Sequence, residues 1–388
     1  MNLRDKLRAI DSKPARSENP GRAQTFTDCL HLPTFLPPEQ FPGAFSLDRE
    51  TLMLMQPMDL PETLDPRRIL YLDTETTGLG GSGTVAFLVG TGFLTDQGFE
   101  VHQFMIRDYP EEQYLLKHIA GGLNKFDLLC TFNGKTFDIP LLQSRFLMNR
   151  MDPSPLEIPH IDLLQLARRL WRLRLGKCNL GRLEEVILGK PRTDDLPGSE
   201  VPQRFFSYLK TGQRCLLDDV LKHNVQDIAS LCVLLNHMAD LYLHPEKIGF
   251  PEDVYSMGRA LEKISCTAQA RHCYRLALRG RMGGQASVAL ARSYRRSGEV
   301  QEAVVLWKQM ISAGRGGITP YVEMAKYCEH RLRDIPAAME YTCRAISLLS
   351  EPSLKAGGSV QSLQNELQYR YERLKRKASQ EETRKHES

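Results

Sequence analysis

Between Arg67 and Ile106 the apolar positions fall in short runs with β-type spacing. Ile69–Asp73 reads as one strand. Thr84–Leu94 and Phe99–Ile106 read as two more, joined by the turn Thr95-Asp96-Gln97-Gly98. The period then lengthens. Glu111–Leu123 predicts a helix, Asp127–Phe132 a fourth strand, and Asp138–Asn149 a second helix with Asp138 near its N-cap and Pro140 in its first turn. Ile161–Leu173 and Leu216–Leu241 keep helical spacing. Three strands in a meander, then α, β, α and more helix, predict an α/β fold built on a mixed sheet over residues 66–245.

The flanks differ. Residues 11–65 are rich in Pro, Ser and polar groups, and Leu32-Pro33-Thr34-Phe35-Leu36-Pro37-Pro38 forbids regular helix. Residues 1–65 therefore read as an extended, Pro-rich arm with a few apolar anchors. After Pro251 the chain is helical and repetitive. Ala291, Tyr294, Ala303 and Trp307 recur 34 residues later as Ala325, Cys328, Ala337 and Tyr341. An earlier copy, at a shift of 33, places Gly258, Ala270 and Tyr274 before Ala291, Ala303 and Trp307. A helix-turn-helix period of this length with small residues at the crossings is the tetratricopeptide signature, expected here over 252–350 as an all-α domain. Ser297-Gly298-Glu299 supplies a turn between paired helices. A generic helical bundle is the other reading. In the tail, 351–388, Leu363, Leu367, Tyr371 and Leu374 share one helical face and suit a capping helix; beyond Ala378 it is charged.

Composition narrows the class. A chain of 388 residues exceeds what one core usually fills, so two domains are expected. With 41% apolar and 25% charged residues it reads as an ordinary globular protein. The nine cysteines include no CxxC pair, which favours reduced thiols and a cytoplasmic location over a disulfide framework. No apolar run reaches a membrane span, and Met1–Ile10 lacks the apolar core of a secretory signal. A net charge of +4 is too small to argue for nucleic acid unaided.

The chemistry-bearing residues are acids. On a strand, Asp73 and Glu75 point to one face and repel each other. A hard divalent cation gives that arrangement a purpose. Asp138 follows a strand and an Asn-Gly turn, which aims it at the sheet edge. His223 and Asp227 stand at i and i+4 and share a helix face.

Together these resemble the DEDD exonuclease superfamily of the ribonuclease H-like fold. Asp-x-Glu matches Asp73 and Glu75, Asn-x-x-x-Phe-Asp matches Asn133, Phe137 and Asp138, and the late helical acid matches Asp227. Within that superfamily the chain is similar to the YprB-type ribonuclease H-like family, through Gly80-Gly81-Ser82-Gly83, Phe132-Asn133-Gly134-Lys135, His160-Ile161-Asp162-Leu163-Leu164 and Asp195-Leu196-Pro197-Gly198. The resemblance covers about Arg67 to Leu241. It implies a 3′→5′ exonuclease on single-stranded DNA or RNA. It also implies two Mg²⁺ or Mn²⁺ ions held by Asp73, Glu75, Asp138 and Asp227. Thr76, Gly78, Asn133, Phe137 and Asn224 would then lie along the substrate. His223, as general base or water-orienter, departs from the best-studied branches: it stands four residues before Asp227, where one branch has tyrosine, while the other has histidine five before.

A basic run fits a nucleic-acid partner. Arg168, Arg169, Arg172, Arg174, Lys177 and Arg182 occur with no acid between Leu163 and Leu183, and Trp171 within the run offers a face to stack on a base; the other reading is a solvated helix face with Trp171 in the core. Two decoys fail. Gly78-Leu79-Gly80-Gly81-Ser82-Gly83 spells a dinucleotide fingerprint, but β-type sequence follows it instead of a helix. Gly134-Lys135-Thr136 ends like a phosphate loop, but the first glycine is replaced by Leu129. The alternative function is a non-catalytic nucleic-acid-binding or scaffold protein whose repeats hold a protein partner.

Overall fold

The fold is described by a computed structural model over residues 28–78, 81, 83–192, 196–349 and 358–386. Its centre is a six-stranded mixed sheet of β1 (Leu30–Leu36), β2 (Ile69–Thr76), β3 (Ala86–Thr95), β4 (Gly98–Met105), β5 (Leu128–Thr131) and β6 (His160–Asp162). The spatial order is β1-β4-β3-β2-β5-β6. The β1–β4, β3–β4 and β2–β3 pairs are antiparallel, and β2–β5 and β5–β6 are parallel. The predicted α/β class with a mixed sheet is what the structure has.

Helices cover both faces, which explains why Ile69 to Leu72 are all buried instead of alternating. On one face Leu70 and Leu72 pack with α2 (Glu112–Leu123), α3 (Asp138–Met148) and α6 (Val201–Thr211). On the other, Ile69 and Tyr71 share a core with α1 (Arg49–Met55), α4 (Leu163–Leu175), α5 (Leu180–Val186) and α7 (Asp218–Leu243). Gly90 and Gly92 on β3 let α7 lie directly on the sheet. A Cβ at Gly90 would come within 2.1 Å of Asn224 Oδ1, and one at Gly92 within 2.4 Å of Ile228 Cγ2.

Two elements depart from the expectation. The Pro-rich segment is not simply an arm: Leu30–Leu36 pairs along its whole length with β4, from Leu30 against Met105 to Leu36 against Phe99. Pro33 is tolerated because β1 is an edge strand, where a missing N–H interrupts no central ladder. The start of the predicted helix Ile161–Leu173 is instead strand β6, only three residues long, too short for any period to register.

The C-terminal region is helical, as expected: α8 (Pro251–Lys263), α9 (Thr267–Ala277), α10 (Gly283–Arg296), α11 (Val300–Ser312), α12 (Thr319–Tyr327), α13 (Ile335–Leu349) and α14 (Gly358–His386). Each helix packs on its neighbour in sequence. Gly258 lies against the Tyr274 ring, where a Cβ would sit 2.7 Å away. A π-helical turn, Cys328–Leu332, links α12 to α13. Within it the buried Glu329 receives Arg370 (3.1 Å), Arg373 (2.7 Å) and Lys377 (2.8 Å) from α14. The apolar core of α4 and α7 continues into α8 and α9 through Val254, Met257 and Ala270. Arg174 adds to this junction, bonding Asp253 at 2.7 Å and stacking on Phe250 at 4.0 Å. Among the described residues, no helix is long and apolar enough to cross a membrane.

Candidate active site

Strand β2 leaves the core at its C-terminal end, and there its polar residues begin. Asp73 and Glu75 share one face by strand alternation, while Thr74 points to the other. Asp73 is opposite Gly90 in the register, and a bulge follows at Glu75/Thr76. The missing side chain at Gly90 lets α7 bring Asn224 onto Asp73: Asn224 Nδ2 donates to Asp73 Oδ2 at 2.9 Å. Gln103 Nε2 on β4 donates in turn to Asn224 Oδ1 (2.9 Å) and to the Leu221 carbonyl (2.9 Å). The same helix carries Asp227 one turn further.

Asp138 is the first residue of α3 and does not cap it; Phe137 takes the N-cap position without a side-chain bond. The Asp138 carboxylate instead accepts from Thr74 Oγ1 at 2.5 Å. The turn before α3 is built by Asp162, which is 1% exposed. Its carboxylate accepts the N–H groups of Asn133 (2.9 Å), Lys135 (3.2 Å) and Leu164 (3.0 Å). Asn133 takes a left-handed φ of 69°, which asparagine tolerates better than most residues.

The electrostatics bind the four acids into one site. Burial, followed by Asp227, Glu75 and Asp138, pushes Asp73 well above the ordinary carboxylate range, opposed by the Asn224 hydrogen bond. Burial, then Asp227 and Asp138, raises Glu75 to about 8. Asp138 rises to about 6, chiefly through burial, with the Thr74 hydroxyl working against it. Burial and Glu184 raise Asp227, opposed by His223 and Arg192. Carboxylates held this high are short of positive charge.

Part of that charge is met by a residue no motif pointed to. Arg192, in the segment between α5 and α6, donates through a terminal nitrogen to Asp227 Oδ1 at 2.5 Å. Its Nε donates to Glu184, a buried acid on α5 that also accepts from Ser230. His223 Nδ1 lies 3.1 Å from the other terminal nitrogen, and its Nε2 lies 3.4 Å from Asp227 Oδ2. A guanidinium N–H only donates, so a His223 ring nitrogen accepts from Arg192, whose nitrogen lies 3.1 Å from Nδ1 and 3.5 Å from Nε2.

The donors fit hard divalent ions: the acids offer only oxygen, and a guanidinium already stands in as the cation beside Asp227. Among the described residues, the one trio of ligand atoms within 4.8 Å of one another is elsewhere, at Asp28, Cys29 and His118. Burial pushes the Cys29 thiol up to about 12, far from thiolate, and Asp28 accepts from His118 and the Cys29 N–H, both at 2.8 Å. That trio reads as a clasp on the start of β1. Among the described residues, no three of the four acids bring ligand atoms within 4.8 Å of one another, and Asp227 is held by Arg192.

The remaining sequence candidates divide. Thr76 donates to the Gly78 carbonyl at 2.7 Å and shapes the turn after β2. Phe137 and Asn133 precede Asp138 in the turn before α3, Phe137 partly buried and Asn133 exposed. Arg168, Arg169, Arg172 and Lys177 are exposed on or just beyond α4. Two expectations need correction. Trp171 is 1% exposed, in the core with its ring stacked near His237, so it has no face to offer a base. Asn224 is 0% exposed and spends both ends of its amide on Gln103 and Asp73, so it positions an acid and does not line the substrate path. Of the family phrases, Gly80 and Ser82, and Asp195, lie outside the described residues.

A profile of the RNase_H superfamily matches residues 70–239. The chain is 31% identical over 353 residues to "Uncharacterized protein YprB" of Bacillus subtilis (strain 168), covering 87% of this chain and 82% of YprB. Among solved structures, the family B DNA polymerase of the hyperthermophilic archaeon Pyrobaculum calidifontis matches at 14% identity with a TM-score of 0.38, over 55% of this chain and 31% of that chain. The superfamily match runs from β2 into α7 and takes in all four acids, and with the extent of the identity to YprB it establishes that this chain belongs to the YprB family and carries an RNase H superfamily domain.

Proposed function

We propose that the protein is a metal-dependent nuclease of the DEDD type, a 3′→5′ exonuclease on single-stranded nucleic acid. The observation that carries this reading is the set of four carboxylates gathered about the end of β2, all raised by burial, with Asp73 and Glu75 raised further by the other acids of the set. A fold gains nothing from such a set unless cations occupy it. Asp73, Glu75, Asp138 and Asp227 would hold two Mg²⁺ or Mn²⁺ ions, which supply water activation and neutralise charge on the reacting phosphate. The reaction adds water across the terminal P–O3′ bond, releasing a 5′-nucleotide and leaving a new 3′-hydroxyl. Polarity and strand preference rest on the superfamily resemblance.

The chain's own groups then take these parts. Asn224, braced by Gln103, orients Asp73. His223 lies at the rim of the acids, where it orients the water or accepts its proton. Thr76, Gly78, Asn133 and Phe137 border the path of the last nucleotides. Arg168, Arg169, Arg172 and Lys177 offer exposed charge to the phosphates further along. Residues 66–245 form the nuclease unit, completed by an edge strand from the preceding segment. Residues 252–349 are tetratricopeptide-like repeats for a protein partner, capped by α14. The buried small residues Ala270, Ala291, Ala303 and Ala325 support that reading, and the cysteine usage supports a cytoplasmic location.

The test is degradation of end-labelled single- and double-stranded DNA and RNA in Mn²⁺ by the full-length protein and by Asp73→Ala and Asp227→Ala variants. Stepwise shortening from the 3′ end of single strands by the wild type alone is expected. Intact substrates, or equal degradation by all three proteins, would sink the proposal.

A further inference from the structure

Arg192 bears on how the site is loaded. Its side chain is 8% exposed, deep enough that its charge must be answered by protein groups. Glu184, 1% exposed, holds Nε, and Ser230 engages the other oxygen of the same carboxylate. Glu184 is thus committed to fixing the guanidinium and lies outside the set of four acids. The anchor uses Nε, so the two terminal nitrogens are the ones turned to Asp227 and His223. Asp227 in turn has Oδ1 against Arg192 and Oδ2 toward His223. With Oδ1 held by Arg192 and Oδ2 facing His223, a divalent ion at Asp227 competes with the guanidinium for the carboxylate.

Resting on the nuclease reading, we propose that Arg192 is the site's resident cation, which competes with divalent metal for Asp227 and, once displaced, turns its terminal nitrogens to the scissile phosphate while Glu184 keeps hold of Nε. Two parallel N–H donors at fixed spacing match a phosphate's oxygens as they match a carboxylate's. The exchange of one oxyanion for another needs only a small swing about the Glu184 anchor. It also couples metal loading to substrate: a phosphate that accepts Arg192 relieves Asp227 of its partner.

The test uses the full-length protein and two readouts that need no turnover. Mn²⁺ affinity is measured by isothermal titration for wild type, Arg192→Met and Arg192→Lys, with circular dichroism to check the fold. Affinity for a fluorescein-labelled single-stranded oligonucleotide is measured by anisotropy in saturating Ca²⁺. Arg192→Met is expected to bind Mn²⁺ about tenfold more tightly, because the competing charge is gone, and the oligonucleotide about tenfold more weakly. Arg192→Lys, whose compact ammonium cannot hold Glu184 and Asp227 together, should fall between the two in Mn²⁺ affinity. It carries the test if the methionine variant does not fold. Mn²⁺ affinity unchanged or weakened in the folded variants overturns the competition. Unchanged oligonucleotide affinity overturns the phosphate contact. No Mn²⁺ binding by any of the three proteins overturns the nuclease reading itself and this proposal with it.

Discussion

Replacing Gly90 with alanine tests whether a bare patch on β3 sets the spacing of the acids. The added Cβ would lie 2.1 Å from Asn224 Oδ1 and 2.3 Å from Ile228 Cδ1, so helix or strand must move. Asn224 cannot rotate away cheaply, since its amide holds Gln103 on one side and Asp73 on the other. Gly90 does not have a positive φ, so alanine's backbone is unstrained and the cost is steric. Overpacking a filled core costs about 1–3 kcal/mol, and weakening two buried hydrogen bonds adds about 1 kcal/mol each. Alanine's smaller unfolded-state entropy offsets about 0.4–1 kcal/mol. The net expectation is a loss of about 2–4.6 kcal/mol. Asp227 lies one turn beyond Asn224 and moves with it, so Mn²⁺ affinity should fall as well. Urea unfolding of metal-free protein reads the first effect and isothermal titration the second. A variant within about 0.5 kcal/mol of wild type, with the same Mn²⁺ affinity, would refute the claim that close approach of α7 at Gly90 assembles the site.

Other consequences can be checked separately. Glu75 is raised to about 8 in the fold, so its contribution to stability is greatest below its ordinary range near 4.5 and is lost as pH rises toward 8. Glu75→Gln should therefore melt above wild type at pH 8 in EDTA, by at least about 1 kcal/mol or about 3 °C. That advantage should vanish or reverse in Mn²⁺; a lower melting point in EDTA would contradict the site's electrostatics. Glu329 shows the opposite sign. Burial works to raise it, but Arg373 and Lys377 prevail and hold it to about 2. Its stabilisation is present above about 4.5 and fades as pH falls toward 2, so Glu329→Gln should expose α14 to protease at pH 7 while differing little from wild type near pH 2.5. Equal protection at pH 7 would show that apolar contacts alone dock the tail.

Much of the site was legible because its logic is local. Period two placed Asp73 and Glu75 on one face, and a helical step of four placed His223 over Asp227. The order of the four acids carried the family resemblance. The residues that were missed or misread act through partners far away in the chain. Trp171 sits amid arginines in sequence, yet it is turned into the core because α4 packs its apolar face against α7 and α8. Arg192 stands in a polar loop, and only folding brings it 35 residues along the chain to Asp227. Glu184 lies on a seven-residue helix, and nothing local in the sequence marks it as buried. The pairing of β1 with β4 joins segments about 70 residues apart, so the sequence showed an extended segment without a helix but not the strand it pairs with.

By itself, the amino-acid sequence determined most of the element types, the faces they present and the four candidate acids, since these follow from backbone period and side-chain chemistry over a few residues. Only the tertiary structure decided which polar groups became struts, which became candidate ligands and where the site's positive charge came from. Burial and long-range pairing set those roles. Asn224 becomes a brace because Gly90 admits α7, and Arg192 becomes a counter-ion because buried Glu184 holds it beside Asp227.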